Sequence, residues 1–355
     1  MLKKIFCVLF FVCTALTLSG CFGGLEVNDR AFVQLMGLDH KDEVYMVSLQ
    51  IYKSESGSPD PDVSKANSVS INGSGATISA ALSDAELSLG KKLFLGHIKL
   101  LIIGEGIENP SDELALFLDG SVSPSCPVAY SDDPQAAVET LLEDGTFSAE
   151  QLLKLMETAA SQGKTVYTSV ADVASKTGIA DSAAALPCIV SDGETIRFEG
   201  ITFARKNGTA GFLAEEDVQG VKLLTNAFEC GDRITVPITA GENRATAYIT
   251  GAKSCLKTEY ADGNLRIYAD VCIKVKTEEN PFGANEKLIE AAVRESVKDT
   301  CISAFSTAVW YNSCDVFDIK KLVRRDCPDF YGEYCKNDEK YLRESVLTVN
   351  VISHE

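Results

Sequence analysis

The sequence is poor in histidine. Its 355 residues hold three, His40, His97 and His354, and no two stand at a spacing that shares a metal on one helix face or across a hairpin. It holds 12 cysteines but no Cys-x-x-Cys pair, so zinc-ribbon and thioredoxin-type sites both lack their spacing. There is no G-x-S-x-G elbow and no H-E-x-x-H. Basic residues are in deficit, 33 Lys and Arg against 51 Asp and Glu, a formal net charge of −18. That balance disfavours nucleic-acid partners and adhesion to anionic lipid through basic patches. Long apolar runs are also missing. The longest, Ile5 to Leu18, falls short of the ~20 residues a spanning helix needs, and the most apolar later stretch, Ile98 to Ile103, already contains Lys99.

What is present is an ordinary globular composition, 45% apolar and 24% charged, long enough for two or three domains. Lys3 and Lys4 precede the Ile5–Leu18 run, and Ser19-Gly20-Cys21 follows it. Charge, apolar core and small residues in that order read as a secretory signal, residues 1–20. Leu18-Ser19-Gly20-Cys21 resembles the bacterial lipobox, which implies that Cys21 receives a diacylglyceryl group and becomes the first mature residue. Two or more acyl chains give stable anchoring where one gives only marginal binding. The expected mature protein is a body tethered outside the cytoplasmic membrane, and it is more acidic still, because the signal removes two lysines and no acid.

Nine cysteines remain in that body: Cys126, Cys188, Cys230, Cys255, Cys272, Cys301, Cys314, Cys327 and Cys335. An odd number cannot all pair internally. The expectation is mainly buried free thiols together with one or two disulfides, and the alternative is a metal site among the last four. His97 is expected on a strand face with Lys99 as a half-exposed structural residue.

Periodicity predicts strands over Ala31–Leu38, Val44–Tyr52 and Ala66–Asn72, a helix over Thr77–Leu89 ended by Gly90, and one strand over Leu93–Ile103. Helices are expected at Glu113–Leu118, after Asp133-Pro134, after Ser148, and over Val170–Lys176. Pro127–Tyr130 reads as a strand. A bulge is expected at Gly200, and hairpin turns at Asn207-Gly208 and Asp262-Gly263. Glu215–Leu224 reads as a helix. Leu265, Ile267, Ala269, Val271, Ile273 and Val275 share one parity, the mark of a half-buried antiparallel strand. A long amphipathic helix follows over Ala284–Tyr311, and a last strand runs through Leu347, Val349 and Val351. Two sequon-like triplets, Asn72-Gly73-Ser74 and Asn207-Gly208-Thr209, read as turns. Gly73-x-Gly75 and Gly104-x-Gly106 each lack the third glycine of a phosphate cradle, and Gly90-Lys91 lacks the upstream one, so all three read as turns or caps. Adjacent acids such as Asp132-Asp133 and Glu215-Glu216-Asp217 do not face each other and imply no acid–base pair.

The order of these signals resembles the Ger(x)C family, the C-subunit lipoproteins of spore nutrient germinant receptors. The matching residues are Cys21, Glu26-Val27-Asn28-Asp29, Gly37-Leu38-Asp39, Gly75-x-Thr77, Lys92-Leu93, His97-x-Lys99, Gly104-Glu105, Asp315-Val316-Phe317, Leu322, Arg325 and Pro328 followed by aromatics. Phe22-Gly23-Gly24 departs from the family's tryptophan after the lipid cysteine. The resemblance implies an α+β multi-domain fold of mostly antiparallel or mixed sheets packed with helices. Its expected divisions are 21–190, a small middle segment 191–228, and 229–355 with the long helix. It implies two integral membrane receptor subunits as partners, a place on the outer face of the inner spore membrane, no cofactor and no catalysis. Lipid attachment at Cys21 is the one residue role that carries over. The alternative is a solute-binding lipoprotein of a transporter, which calls for two lobes with parallel sheets.

Overall fold

The computed structural model describes residues 29–52, 68–143, 149–191, 195–240, 243–281, 283, 285–333, 335 and 340–354. The signal, Cys21, the 22–24 linker, the 54–62 loop and Ser148 lie outside them. The fold is α+β, as expected, and its strands form two sheets among the described residues.

The first sheet begins with β1 (Arg30–Lys41), β2 (Val44–Tyr52), β3 (Ser68–Gly75) and helix α1 (Ile78–Leu89). It continues through β4 (Lys92–Phe94), β5 (Leu100–Ile103), α2 (Pro110–Ala115), β6 (Val128–Tyr130), α3 (Pro134–Glu143), α4 (Ala149–Ser161) and α5 (Val170–Thr177). It ends with β7 (Ala184–Ser191), β8 (Ile196–Arg205) and β9 (Gly208–Leu213). The strand order is β3-β2-β1-β5-β6-β7-β8-β9, with β4 also on β1. The centre, β1-β5-β6-β7, is parallel and both flanks are antiparallel. Helices cover both faces. Leu35, Leu100 and Ile102 pack under Val138, Leu152 and Met156 of α3 and α4. Met36, Leu38, Leu101 and Ile103 pack against Ile78, Ala81, Leu114 and Val173 of α1, α2 and α5. A strand covered on both faces needs an unbroken apolar run, and Leu100–Ile103 supplies it.

The single strand expected over Leu93–Ile103 is instead two. Leu95–His97 forms a 3-10 turn between β4 and β5, which moves the chain from one stretch of β1 to the next. Asn72-Gly73-Ser74 lies inside β3 and not in a turn, because a Cβ on Gly73 would come 2.2 Å from the Ala81 carbonyl oxygen of α1. The strand needs glycine there for the helix to pack on it. Thr77 caps α1 through the Ala80 N–H, and Gly90 ends it at φ 71°. The Gly200 bulge is present, at φ 70°.

The second sheet is β10 (Ile234–Ala240), β11 (Asn243–Ala261), β12 (Asn264–Glu279) and β13 (Val346–His354), in that order. β13 runs parallel to β12 and the other pairs are antiparallel. Asp262 and Gly263 both take positive φ in the β11–β12 turn. The inward parity, Leu265 to Ile273, meets Ile289, Val293, Val297 and Phe305 of α7 (Glu286–Phe305), which passes into a π-helical turn over Ser306–Tyr311. Helix α6 (Glu215–Leu224) crosses α7 at Gly220, where a Cβ would come 2.3 Å from the Thr300 carbonyl oxygen. Helices α8 (Ile319–Asp326), α9 (Pro328–Glu333) and α10 (Lys340–Arg343) lead to β13. The core of this half also takes in Ile201, Phe203 and Leu213 from β8 and β9.

Candidate functional site

The segments that carry the family resemblance, far apart in sequence, gather at a few places. Asp39 ends β1 and is buried. Its Oδ1 accepts the His40 N–H (2.9 Å) and the Gly106 N–H (3.1 Å), and Lys41 Nζ lies 2.8 Å from Oδ2. That hydrogen bond and charge raise the Lys41 ammonium above its ordinary value. Glycine is required opposite. A Cβ on Gly104 would come 2.3 Å from Asp39 Oδ1, and one on Gly106 would come 1.7 Å from the His40 carbonyl oxygen. Gly104-x-Gly106 therefore makes room for a carboxylate and does not cradle a phosphate. Gly37 approaches Pro134 in the same way, 2.9 Å from its carbonyl oxygen to an added Cβ. Beside this knot, at the carboxyl ends of the parallel strands, a hollow of about 120 Å³ is lined by Asp39, Lys41, Ser48, Asp133 and Gln135 among others. It has room for a few waters at ~30 Å³ each and is far below the ~300 Å³ of a small-molecule site.

Asp315 forms a second knot, between the two halves. It is fully buried, and its carboxylate accepts the N–H groups of Phe317 (3.2 Å), Ile319 (2.8 Å) and Lys320 (2.8 Å), the last two opening α8. Burial pushes its pKa up to about 6 even so. Its backbone joins the first half through Asp315 N–H to Asp181 O (2.9 Å) and Ala183 N–H to Asp315 O (3.1 Å). Lys320 pairs with Asp181 at 2.7 Å, both largely buried. Arg325 and Phe330 sit nearby on the β11–β12 hairpin: Arg325 holds Asp326, which accepts the Thr258 N–H, and Phe330 stacks on Tyr260 at 4.1 Å.

His97 departs from expectation. It is exposed, on the 3-10 turn and not in a strand, and stacks on Phe32 with ring centroids 5.3 Å apart. The nine body cysteines are all free, with Cys126, Cys188, Cys301, Cys314 and Cys335 buried and Cys230 and Cys255 exposed. Among the described residues, no group of three or more His, Cys, Asp or Glu is placed to hold a metal ion, and no helix is long and apolar enough to cross a membrane.

A larger cleft, about 780 Å³, lies between α4, α5 and α6, with Glu157, Thr168, Asp172, Lys222, Glu229 and Asp232 in its wall. The sequence reading missed its central feature. Lys222 follows Val218 on the buried side of α6, bonded to Asp232 (2.7 Å) and to the Ala160 carbonyl oxygen (2.6 Å). A lysine at an apolar helix position was the available signal. The Ser169–Asp172 capping box of α5, strand β7 and strand β10 were missed as well.

The spore germination protein N-terminal domain model matches residues 24–191, and the spore germination B3/GerAC-like C-terminal model matches residues 199–354. The fold is similar to the crystal structure of the GerBC protein, with a TM-score of 0.57 at 12% identity over 90% of this chain and 96% of that one. A search of the curated proteins finds no match. Two consecutive family models across nearly the whole chain, on a fold shared with GerBC, place the protein in the Ger(x)C family of spore germination proteins.

Proposed function

We propose that this chain is the lipid-anchored C subunit of a nutrient germinant receptor, working by protein–protein contact with two integral membrane subunits on the outer face of the inner spore membrane. The match of both germination-domain models carries this reading. The lipobox at Cys21 supports the anchor. The geometry supports contact over chemistry. The Asp39 and Asp315 carboxylates are bonded into the backbone, and the ammonium of Lys222 is engaged by Asp232 and a carbonyl. Groups so committed hold surfaces in place and are not themselves poised as acid, base or nucleophile. The cleft of about 780 Å³ is the observation that favours the solute-binding alternative, since its size suits a small ligand.

Two outcomes test the proposal. Cys21→Ala should release the chain from membranes and abolish fatty-acid labelling; a labelled variant would overturn the anchor. Deleting the gene should cost spores their response to at least one nutrient. Spores that answer every nutrient normally, while growth on some solute fails, would favour the transporter reading.

A further inference from the structure

Among the described residues, opposite charges predominate beside the two ends of β1. β1 runs 12 residues, a span of roughly 40 Å. At its far end, in the β1–β2 turn and the loops after β5 and β6, stand Asp42, Glu43, Glu105, Asp132 and Asp133. At its entry end the sign reverses. Residues 86–99 contain Lys91, Lys92 and Lys99 and one acid, Glu86, which is spent on Lys92 and on the Leu93 N–H (3.0 Å). Arg30 is the register partner of Lys92, with its guanidinium 5.6 Å from the Phe94 ring centroid. Phe94 meets Phe32 at 5.5 Å and His97 at 5.2 Å, so Arg30 rests on an aromatic knot. Asp29, at the point of entry, is the other acid among the described residues of 29–33 and 86–99. The three lysines and His97 are exposed. This is a basic, aromatic tip on a chain of net charge −18.

Its position relative to the anchor gives the tip its meaning. Eight residues separate Cys21 from Arg30, a reach of roughly 30 Å at full extension. A body of this length has a diameter on the order of 50 Å. A lipid on Cys21 thus holds the entry end of β1 within reach of the headgroups while the acidic end can point away. Whole-chain acidity disfavours adhesion to anionic lipid, but beyond ~10 Å exposed charges are largely screened, so the local sign governs.

We propose that Arg30, Lys91, Lys92 and Lys99, with the Phe94–His97 aromatics, form a docking surface for anionic phospholipid headgroups, which fixes the orientation of the body on the membrane. The proposal rests on the Cys21 anchor. Each lysine near an anionic surface is worth about fivefold in affinity.

The test is hydrogen exchange on the full acylated chain, bound to vesicles of phosphatidylcholine alone or mixed equally with phosphatidylglycerol. The amides of 86–99 and 30–32 should exchange at least about fivefold more slowly on the anionic vesicles. The triple variant Lys91→Gln, Lys92→Gln, Lys99→Gln should lose that difference, stay on the vesicles, and keep native exchange elsewhere, which shows that it is folded. Equal rates on both vesicle types with the chain still bound would overturn the docking surface and leave the anchor standing. Protection that appears elsewhere on the body, or only when membrane subunits are added, would overturn it in favour of another face or a protein partner. A chain that stays with neither vesicle would overturn the anchor, and the docking surface with it.

Discussion

In the first sheet Leu100, Leu101, Ile102 and Ile103 are all buried, two under α3 and α4 and two under α1, α2 and α5. In the second, Leu265, Ile267, Ala269, Val271 and Ile273 are buried against helices, while Arg266, Tyr268, Asp270 and Lys274 between them stay at the surface or partly so. One sheet is a central layer between helices and the other a single-faced platform. The difference concerns tolerance. A two-faced layer constrains every residue, so its free surface lies at the strand ends, where the Asp39 knot and the basic tip are found. A one-faced platform leaves every second residue of its strands free for contact.

The comparison breaks most severely where the halves meet. Asp315→Ala would strand two buried N–H donors and a part-buried third, and should cost about 3 kcal/mol or more of unfolding free energy, read as a fall in the urea midpoint. Asp315→Asn keeps one accepting oxygen and should cost less. Burial raises the folded pKa of Asp315 to about 6 from an ordinary 3.8. Its stabilisation is therefore full below the unfolded pKa and lost as pH rises through about 6. The deficit of Asp315→Asn against the native chain should accordingly be larger near pH 5 than near pH 7.5. A constant deficit would contradict the burial argument.

The contrast between sheets sharpens with two alanines. Leu101→Ala should cost about 2–5 kcal/mol, whereas Thr348→Ala, exposed on β13, should fall within about 0.5 kcal/mol. Equal costs would mean that the second sheet is covered on both faces. The smallest effect is chemical. Cys230 and Cys255 should react rapidly with a thiol reagent in the native protein, while Cys126, Cys188 and Cys301, whose burial pushes their thiols up to about 12, should react only on unfolding. Rapid native reaction of those three would show an open core.

Legibility followed the same division. The second sheet was readable in β11, β12 and β13, because one solvated face forces alternation, and β12, its turn and α7 stand where the pattern put them, although β10 was missed. Asn207-Gly208 and Glu215–Leu224 were equally plain. The covered centre of the first sheet was less so. A run buried on both faces has no period, so the break at Leu95–His97 left no mark and β7 passed unseen. Asp39 was visible only through a family likeness, because its role depends on two glycines 65 and more residues away that leave room for a carboxylate. The Lys222–Asp232 pair requires three segments to converge, which no local window contains.

The central claim, a receptor subunit that works through contacts, is tested most directly by purifying the tagged native chain from detergent-solubilised spore membranes. The account predicts that two multispanning proteins, encoded beside its gene, come with it in a fixed ratio. Recovery of the chain alone, or with the subunits of an ATP-binding cassette transporter, would contradict it.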